Sequence, residues 1–125
     1  MLNRVILIGR LVADPQLRYT QSGVAVTSFT IAVDRSFTSQ NGERETDFID
    51  IVTWRKLAET CANHLNKGRL VAVEGRLQIR SYDDRDGIRR KAAEVVADQV
   101  QFLDWPNREP ETTDLPESGF DDVPF

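Results

Sequence analysis

Two aromatic side chains, six residues apart, are spaced in a way that suits ligand binding. Phe48 and Trp54 occupy the two ends of the alternating stretch FIDIVTW (48–54). Side chains on a β-strand alternate between its faces, so both aromatics share the face opposite Ile49 and Ile51. If the isoleucine face packs into a core, the two rings are exposed about 20 Å apart. That separation is too wide for one small ligand and suits successive bases of a nucleic-acid strand.

A second stretch, RLQIRSY (76–82), repeats the alternation and adds basic residues. One face holds Leu77 and Ile79, and we expect it to be the inner, apolar face. The opposite face holds Arg76, Gln78, Arg80 and Tyr82. Exposed aromatic rings offer surfaces on which any base can stack, at about 1–3 kcal/mol per base, and arginines neutralise phosphates without reading sequence. The alternative for either strand alone is an ordinary solvated sheet face with scattered aromatics.

Length and composition predict one folded domain without a cofactor. The chain has 125 residues, 40% of them apolar, and a single cysteine, which excludes an internal disulfide framework. Cys61 and His64 form a C-x-x-H pair, but no second pair completes a tetrahedral zinc site, so we expect Cys61 to be buried in a helix, His64 to be exposed, and no metal to bind. The apolar runs are too short for a signal peptide or a membrane span, so a soluble, cytoplasmic protein is expected.

The net charge of −4 is unevenly distributed along the chain. Residues 1–105 carry 15 Lys+Arg and 14 Asp+Glu, a balance of +1, whereas residues 106–125 carry one Arg and six acids, a balance of −5. A short acidic tail is often no more than an aid to solubility. The division nevertheless predicts a folded domain over 1–105 and a separate tail of opposite charge.

The elements that position these residues follow from hydrophobic periodicity and turn residues. The predicted strands are 3–13, which we expect to be buried, 24–34, 48–54, 70–82 and 89–103, with a short extended piece at 17–20. A helix is predicted over 55–66, closed by Gly68. Gly9 and Gly75 lie inside strands, which is typical of a bulge or a close approach of two backbones. The segment 83–87 is predicted to be a hairpin tip, and the polar loop 38–44 is expected to carry Phe37 and Arg35 toward a ligand.

The order strand, strand, strand, helix, strand, strand is typical of an OB-fold. This mainly all-β fold is a five-stranded Greek-key barrel with one helix between its third and fourth strands. The open face of such a barrel binds oligonucleotides or oligosaccharides. We therefore expect the aromatic and basic strand faces to meet on that open face.

Apolar periodicity stops at Pro106, and the rest of the chain has a different character. Prolines, glycine and acids over 106–119 predict a disordered linker. The last six residues combine two aromatics, two acids and a terminal carboxylate: Phe120, Asp121, Asp122, Val123, Pro124 and Phe125. A peptide of this composition is suited to an apolar pocket rimmed by Arg or Lys on another protein.

Several separated motifs resemble the bacterial single-stranded DNA-binding protein family, in that family's order and over nearly the whole chain. They are NRVILIGRL (3–11) followed by DP (14–15) and RY (18–19), FIDIVTWRKLAE (48–59), KG (67–68), VEGRL (73–77) and DDVPF (121–125). The resemblance implies a homotetramer of OB-folds that binds single-stranded DNA without sequence preference in the bacterial cytoplasm, at the nucleoid and replication fork. It also implies that the tip, 120–125, recruits replication, recombination and repair proteins.

The resemblance also assigns roles to individual residues. The family's base-stacking aromatics fall on Phe37, Phe48, Trp54 and Tyr82. The basic residues expected to meet phosphates are Arg35, Arg55, Lys56, Arg76 and Arg80, each with the alternative of an ordinary solvated side chain. Many relatives have tryptophan at several of the stacking positions, whereas here only Trp54 is tryptophan, and Trp105 is expected to pack at the end of the domain. Asp50 shares the predicted binding face and should oppose DNA binding unless an arginine pairs with it.

Two other classes of protein remain as alternatives. An enzyme is disfavoured because the acids are spread over different strands and turns, and the one histidine has no evident catalytic partner. An OB-fold adaptor that binds protein or RNA is the better alternative, because one fold hosts many functions. Base stacking does not sense the ribose 2′-hydroxyl, so the sequence leaves RNA binding open.

Overall fold

The computed structural model describes residues 1–38, 40 and 42–104, apart from the side chains of Phe37 and Thr38. Trp105, the predicted linker over 106–119 and the predicted tip over 120–125 lie outside the described residues. The described elements are β1 (Val5–Leu11), β2 (Gln16–Tyr19), β3 (Ala25–Thr38), β4 (Arg44–Trp54), α1 (Arg55–His64), β5 (Leu70–Asp83) and β6 (Arg89–Phe102).

Five of these strands close into a barrel. Antiparallel pairing joins β1 to β5, β5 to β6, β4 to β3 and β3 back to β1, while β4 and β6 pair in parallel. The short β2 pairs only with β3 and extends the sheet at one side. Because α1 lies between the third and fourth barrel strands, the predicted OB-fold is confirmed.

The core lies inside the barrel and under the helix. Alternate residues of the strands point inward and meet Cys61 of α1 and Leu65, which follows the helix; the largest side chains without solvent exposure include Ile31, Ile51, Val71, Val73 and Val95. Cys61 is fully buried, as predicted, and its desolvation raises the pKa of the thiol to about 11. His64 is exposed, also as predicted.

Two buried threonines form hydrogen bonds at the base of the helix: one joins α1 to β3, and the other joins β4 to β3. The Thr27 hydroxyl donates to the Ala58 carbonyl at 2.7 Å, and the Thr53 hydroxyl donates to the Thr27 carbonyl at 3.0 Å. Both side chains are fully buried. Because a buried hydroxyl without a partner costs free energy, these bonds fix the side of β3 and β4 on which α1 packs.

The two glycines inside strands lie where backbones approach closely. A Cβ atom at Gly75 would lie 2.1 Å from the Val96 carbonyl oxygen, and one at Gly9 would lie 2.5 Å from the Ala32 carbonyl oxygen. The pairing of β5 with β6 also shifts register between Glu74 and Gly75. The predicted close approach at Gly9 and the predicted bulge at Gly75 are therefore both confirmed.

The helix ends earlier than its periodicity predicts. Its last residue is His64, and Leu65 already has an extended backbone with φ −104° and ψ 151°. Gly68 has φ +91° and donates its backbone N–H to the Leu11 carbonyl at 2.9 Å. Gly68 therefore belongs to the turn that joins α1 to β5, where the left-handed backbone conformation favours glycine, and not to the helix cap.

Two apolar rows that the sequence places in the core are exposed in this chain. On β1, Ile6 is 65% exposed and Ile8 is 44% exposed, so this strand is buried on one face only. On β5, Leu77 and Ile79 were expected to face inward but are 45% and 54% exposed. The pairing of β1 with β5 runs only as far as Gly75, so the later part of β5 extends beyond the barrel, where β6 alone pairs with it.

Candidate functional site

The faces of β4 are as the sequence predicts. Ile51 and Thr53 are fully buried, whereas Phe48 is 66% exposed and Trp54 is 42% exposed. Directly paired residues of neighbouring strands share a face, and Trp54 is paired with Val26 on β3. The outer face of β4 therefore continues across β3.

The outer face also continues across β6 and β5. Val52 of β4 is paired with Val96 of β6, and Val96 is paired with Arg76 of β5. Alternation along β5 then brings Arg80 and Tyr82 to the same side as Arg76. We call this surface the outer face and define it by the residues Ser28, Thr30, Phe48, Asp50, Val52, Trp54, Arg76, Gln78, Arg80, Tyr82, Glu94 and Val96. It unites five of the nine predicted DNA contacts.

An open groove of about 430 Å³ crosses the outer face. The chain between β1 and β2 and the start of β2 contribute Asp14 and Gln16, and the β5–β6 hairpin contributes Arg80 and Glu94. Its remaining lining includes Thr30 and Asp50 from the sheet. Because most of these side chains are polar or charged, the groove suits a hydrated, charged, extended ligand better than an apolar one.

Arg80 is held at the side of the groove by two neighbours. Its Nε lies 3.3 Å from a carboxylate oxygen of Glu94, and its guanidinium carbon lies 5.8 Å from the centroid of the Tyr82 ring. The second contact is within cation–π range and keeps the cation beside the aromatic ring. A ligand that stacks on Tyr82 would therefore meet the positive charge of Arg80.

Three predicted cations have no carboxylate within 4.0 Å among the described residues: Arg55, Lys56 and Arg76. Arg55 and Lys56 are exposed and begin α1 directly after Trp54. Arg55 has φ +62°, a left-handed conformation that is uncommon for a residue with a side chain. The chain thus turns sharply from strand to helix, and two cations follow the exposed Trp54 directly along the chain.

Arg35 lies elsewhere. Its guanidinium forms two hydrogen bonds with Asp47, at 2.9 and 3.1 Å, and one with Glu45 at 2.8 Å. Hydrogen bonding to Arg35 lowers the pKa of Asp47, and the same bond raises the pKa of Arg35. Asp47 is adjacent to Phe48 on a strand, so their side chains point to opposite faces. The structure therefore does not bring Arg35 to the outer face, and Phe37 belongs to β3 with a side chain outside the described part.

Asp50 is the carboxylate at the middle of the outer face. It accepts a hydrogen bond from the Thr30 hydroxyl at 2.8 Å. Within the described part of the chain no Arg or Lys lies within 4.0 Å of it. No described arginine therefore neutralises the charge of Asp50, and Asp50 should oppose the binding of a polyanion.

Sequence reasoning missed the groove residues that do not lie on β4 or β5. Asp14 and Gln16 precede or begin a four-residue strand, and Glu94 lies on β6. The alternation of β6 could have indicated Glu94, because it sits between the inward-facing Ala93 and Val95. Nothing local in the sequence indicates Asp14 and Gln16, since their position depends on how the barrel closes.

The described residues contain no group of three or more His, Cys, Asp or Glu side chains arranged to hold a metal ion. None of their helices is long and apolar enough to cross a membrane.

The fold and the outer face together define a class of protein: an OB-fold barrel whose open face carries exposed aromatic rings and arginine side chains. Comparison with known families makes this assignment specific. The chain belongs to the single-strand binding protein family, whose model matches residues 2–103. That description names binding and not catalysis, in agreement with the expectation of a non-enzymatic protein.

Curated relatives are similar over most of this chain. A single-stranded DNA-binding protein of Caldanaerobacter subterraneus subsp. tengcongensis is 59% identical over 120 residues, which cover 96% of this chain and 73% of that protein. Single-stranded DNA-binding protein 2 of Listeria monocytogenes is 60% identical over 107 residues, which cover 86% of this chain and 67% of that protein. Single-stranded DNA-binding protein A of Bacillus subtilis is 58% identical over 107 residues, which cover 86% of this chain and 62% of that protein. This chain thus matches roughly two thirds of the length of these relatives.

Proposed function

We propose that this protein binds single-stranded DNA without sequence preference through the outer face of its barrel. The observation that carries the proposal is the presence of three exposed aromatic rings, Phe48, Trp54 and Tyr82, on one open face with Arg76 and Arg80. The names of the curated relatives support it, since they are called single-stranded DNA-binding proteins.

Binding requires no covalent chemistry in this proposal. Bases stack on the exposed rings, each contact contributing about 1–3 kcal/mol, and every base has a face that can stack. Phosphates meet Arg55, Lys56, Arg76 and Arg80 and release counterions, so log K falls with log salt by about 0.7 for each phosphate neutralised on a single strand. Phe37 remains a proposed stacking residue by family resemblance, and Arg35 receives a different role below.

We also propose that the protein assembles as a homotetramer. The exposed apolar side chains Ile6 and Ile8 on β1, and Leu77 and Ile79 on β5, support this because a lone soluble chain gains nothing from leaving such rows in water. The pairing of β3 with β1 involves only Arg10 and Leu11, which leaves the remainder of one β1 edge available. Sedimentation or light scattering measures the assembly directly.

The remaining parts of the proposal concern the cell. We infer that residues 1–105 bind DNA and oligomerise, that 106–119 act as a linker, and that the tip, 120–125, recruits replication, recombination and repair proteins. The acidic and aromatic composition of the tip supports this role. The protein then works in the cytoplasm, where the DNA of the nucleoid and the replication fork is found.

The test is a titration with oligo(dT), duplex DNA and oligo(U), followed by tryptophan fluorescence and anisotropy at low and high salt. We expect quenching by oligo(dT), little response to duplex, and binding that weakens with salt. Trp54→Ala should weaken binding to oligo(dT) by about fivefold or more, the lower end of the range for one lost stack. Tyr19→Ala is a matched control, since Tyr19 is 59% exposed but lies outside the outer face.

Other outcomes of the same titration point to the alternatives. Equal affinity for duplex, or no binding to any nucleic acid, contradicts the proposal and favours an OB-fold adaptor for protein. Tighter binding to oligo(U) than to oligo(dT) favours RNA as the ligand.

A further inference from the structure

The sheet continues beyond the barrel as a two-stranded ribbon. We call residues 34–38 and 44–47 the β3–β4 arm; Asp34 pairs with Thr46 and Thr38 with Arg44, while Asp47 pairs with Val33 at the base of the arm. None of the arm residues pairs with a described strand other than β3 and β4. Pairing within the arm is irregular, because the register shifts between Asp34 and Thr38. The backbone ladder is therefore interrupted in the stretch that contains Phe37, and a two-stranded ribbon is only marginally stable on its own.

Side-chain bonds cross the arm where the ladder is interrupted. Arg35 on β3 bonds to Glu45 and Asp47 on β4 at 2.8 to 3.1 Å. On the other face of the arm, the Thr46 hydroxyl donates to Asp34 at 2.7 Å. The contact of Arg35 with Asp47 is bidentate, which is the geometry in which exposed ion pairs are strongest.

We propose that Arg35, Glu45 and Asp47 form a brace that positions the β3–β4 arm for DNA, and that Arg35 is a positioning residue and not a phosphate contact. The inference rests on the proposed single-stranded DNA binding. Three nitrogen atoms of the guanidinium already donate to two carboxylates, and the group lies on the face opposite Phe48. A phosphate would have to displace two negative groups to reach it.

The brace acts on the two aromatic positions closest to it along the chain. Phe48 follows Asp47 directly, and Phe37 lies in the irregular stretch after Arg35. Without the brace, the arm would sample more conformations, and ordering it on binding would cost conformational entropy. The number of phosphates neutralised would not change, because Arg35 would not be one of their partners.

The test compares Arg35→Ala with the double variant Glu45→Gln/Asp47→Asn, using oligo(dT) affinity over a series of salt concentrations. A brace predicts that both variants weaken binding, by about threefold to tenfold, and leave the salt slope unchanged. If Arg35 instead binds a phosphate, the double variant should behave in the opposite way. Removing both carboxylates would free Arg35, tighten binding and steepen the dependence of log K on log salt by about 0.7. If the salt dependence of oligo(dT) affinity in Arg35→Ala is weaker than in wild type by about 0.7, one phosphate contact has been lost, and the brace is overturned.

Two matched variants calibrate the comparison. Arg76→Ala removes a cation of the outer face and should lower the salt slope by about 0.7. Arg89→Ala removes another arginine that is bonded to a carboxylate, Asp83, but it lies on the face of the β5–β6 hairpin opposite Tyr82 and should leave the oligo(dT) affinity unchanged. Unchanged affinity in Arg35→Ala would contradict the brace, whatever its slope.

Amide hydrogen exchange on the free protein separates this inference from the proposed function. The brace predicts faster exchange over the β3–β4 arm in both Arg35→Ala and the double variant, with the barrel strands unaffected. Unchanged exchange in the arm would overturn the brace. If the wild-type protein fails to bind oligo(dT), the proposed function falls, and the exchange result still decides whether the arm is braced.

Discussion

At the scale of single residues, the partners of a charged group decide what it contributes to binding. Arg55, Lys56 and Arg76 lack carboxylate partners among the described residues, whereas Arg35 is engaged by two. In the sequence, all four residues have the same character: each is a basic residue near an aromatic one. What separates them is pairing across strands, and that depends on register rather than on any local pattern.

Asp50 supplies the first prediction at this scale. Asp50→Asn should tighten binding to oligo(dT) by about twofold to fivefold at low salt, because it removes a negative charge from the path of the phosphates. The amide oxygen can still accept the hydrogen bond from Thr30, so the fold should be kept. Anisotropy titrations measure the change, and high salt should reduce it.

Asp83→Asn is the matched control for that charge. Asp83 pairs with Arg89 and follows Tyr82 directly on β5, so its side chain points away from the outer face and its neutralisation should leave oligo(dT) affinity unchanged. An equal gain in both variants would mean that net charge, and not the position of Asp50, determines the effect.

At the scale of elements, alternation along a strand predicted which side chains share a face but not whether that face is covered. It placed Phe48 and Trp54 together correctly, yet it assigned Leu77 and Ile79 to the core, where the structure has them exposed. An apolar row on a strand gives the same sequence pattern whether it packs inside a barrel or against another protein chain. Which strands pair decides whether the row is covered, and β1 pairs with β5 only as far as Gly75.

The bulge at Gly75 makes a prediction about stability. Gly75→Ala should destabilise the protein by about 3 kcal/mol or more, because the new Cβ would meet the backbone of Val96 at 2.1 Å and of Ala97 at 2.7 Å. Gly87→Ala is the control: φ is +79° there, but no atom lies within 4 Å, so only the strain of a left-handed residue, about 1–2 kcal/mol, is expected.

Urea denaturation measures both variants. A loss of stability in Gly75→Ala no larger than in Gly87→Ala would show that the two strands can separate at the bulge without penalty.

At the scale of the whole molecule, the order of elements was enough to predict the OB-fold, and the switch from strand to helix period after Trp54 located α1. The groove was not predictable in the same way, because Asp14, Gln16 and Glu94 meet only when the barrel closes. The ion pairs of Arg35 with Glu45 and Asp47 were not predictable for a related reason: the sequence indicates a polar loop nearby, whereas these contacts depend on how β3 and β4 pair.

The division of charge along the chain gives a prediction for the tail. Removing residues 120–125 should leave or tighten oligo(dT) binding, because the acidic tail is tethered to the domain and competes for its basic face. The gain should shrink as salt rises. Anisotropy titrations of the truncated and full chains measure it.

If the tip recruits replication and repair proteins as proposed, the same truncation should abolish their retention. Asp121→Asn/Asp122→Asn, which keeps the length of the tail, controls for the loss of six residues. Loss of DNA binding on truncation would contradict the separation of the two roles.

The pairing of β1 with β5 also has a consequence for how the chain is made. The two strands pair from Val5 with Gly75 to Arg10 with Leu70, so partners are separated by 60 to 70 positions in the sequence. At about 5–20 residues per second, a ribosome completes the partner of β1 about 3–14 s after β1 itself. During that interval β1 has neither its main partner nor a closed barrel to cover its apolar side chains. A nascent chain therefore exposes β1 to chaperones, and to premature association with neighbouring chains on a polysome, for longer than it exposes β5.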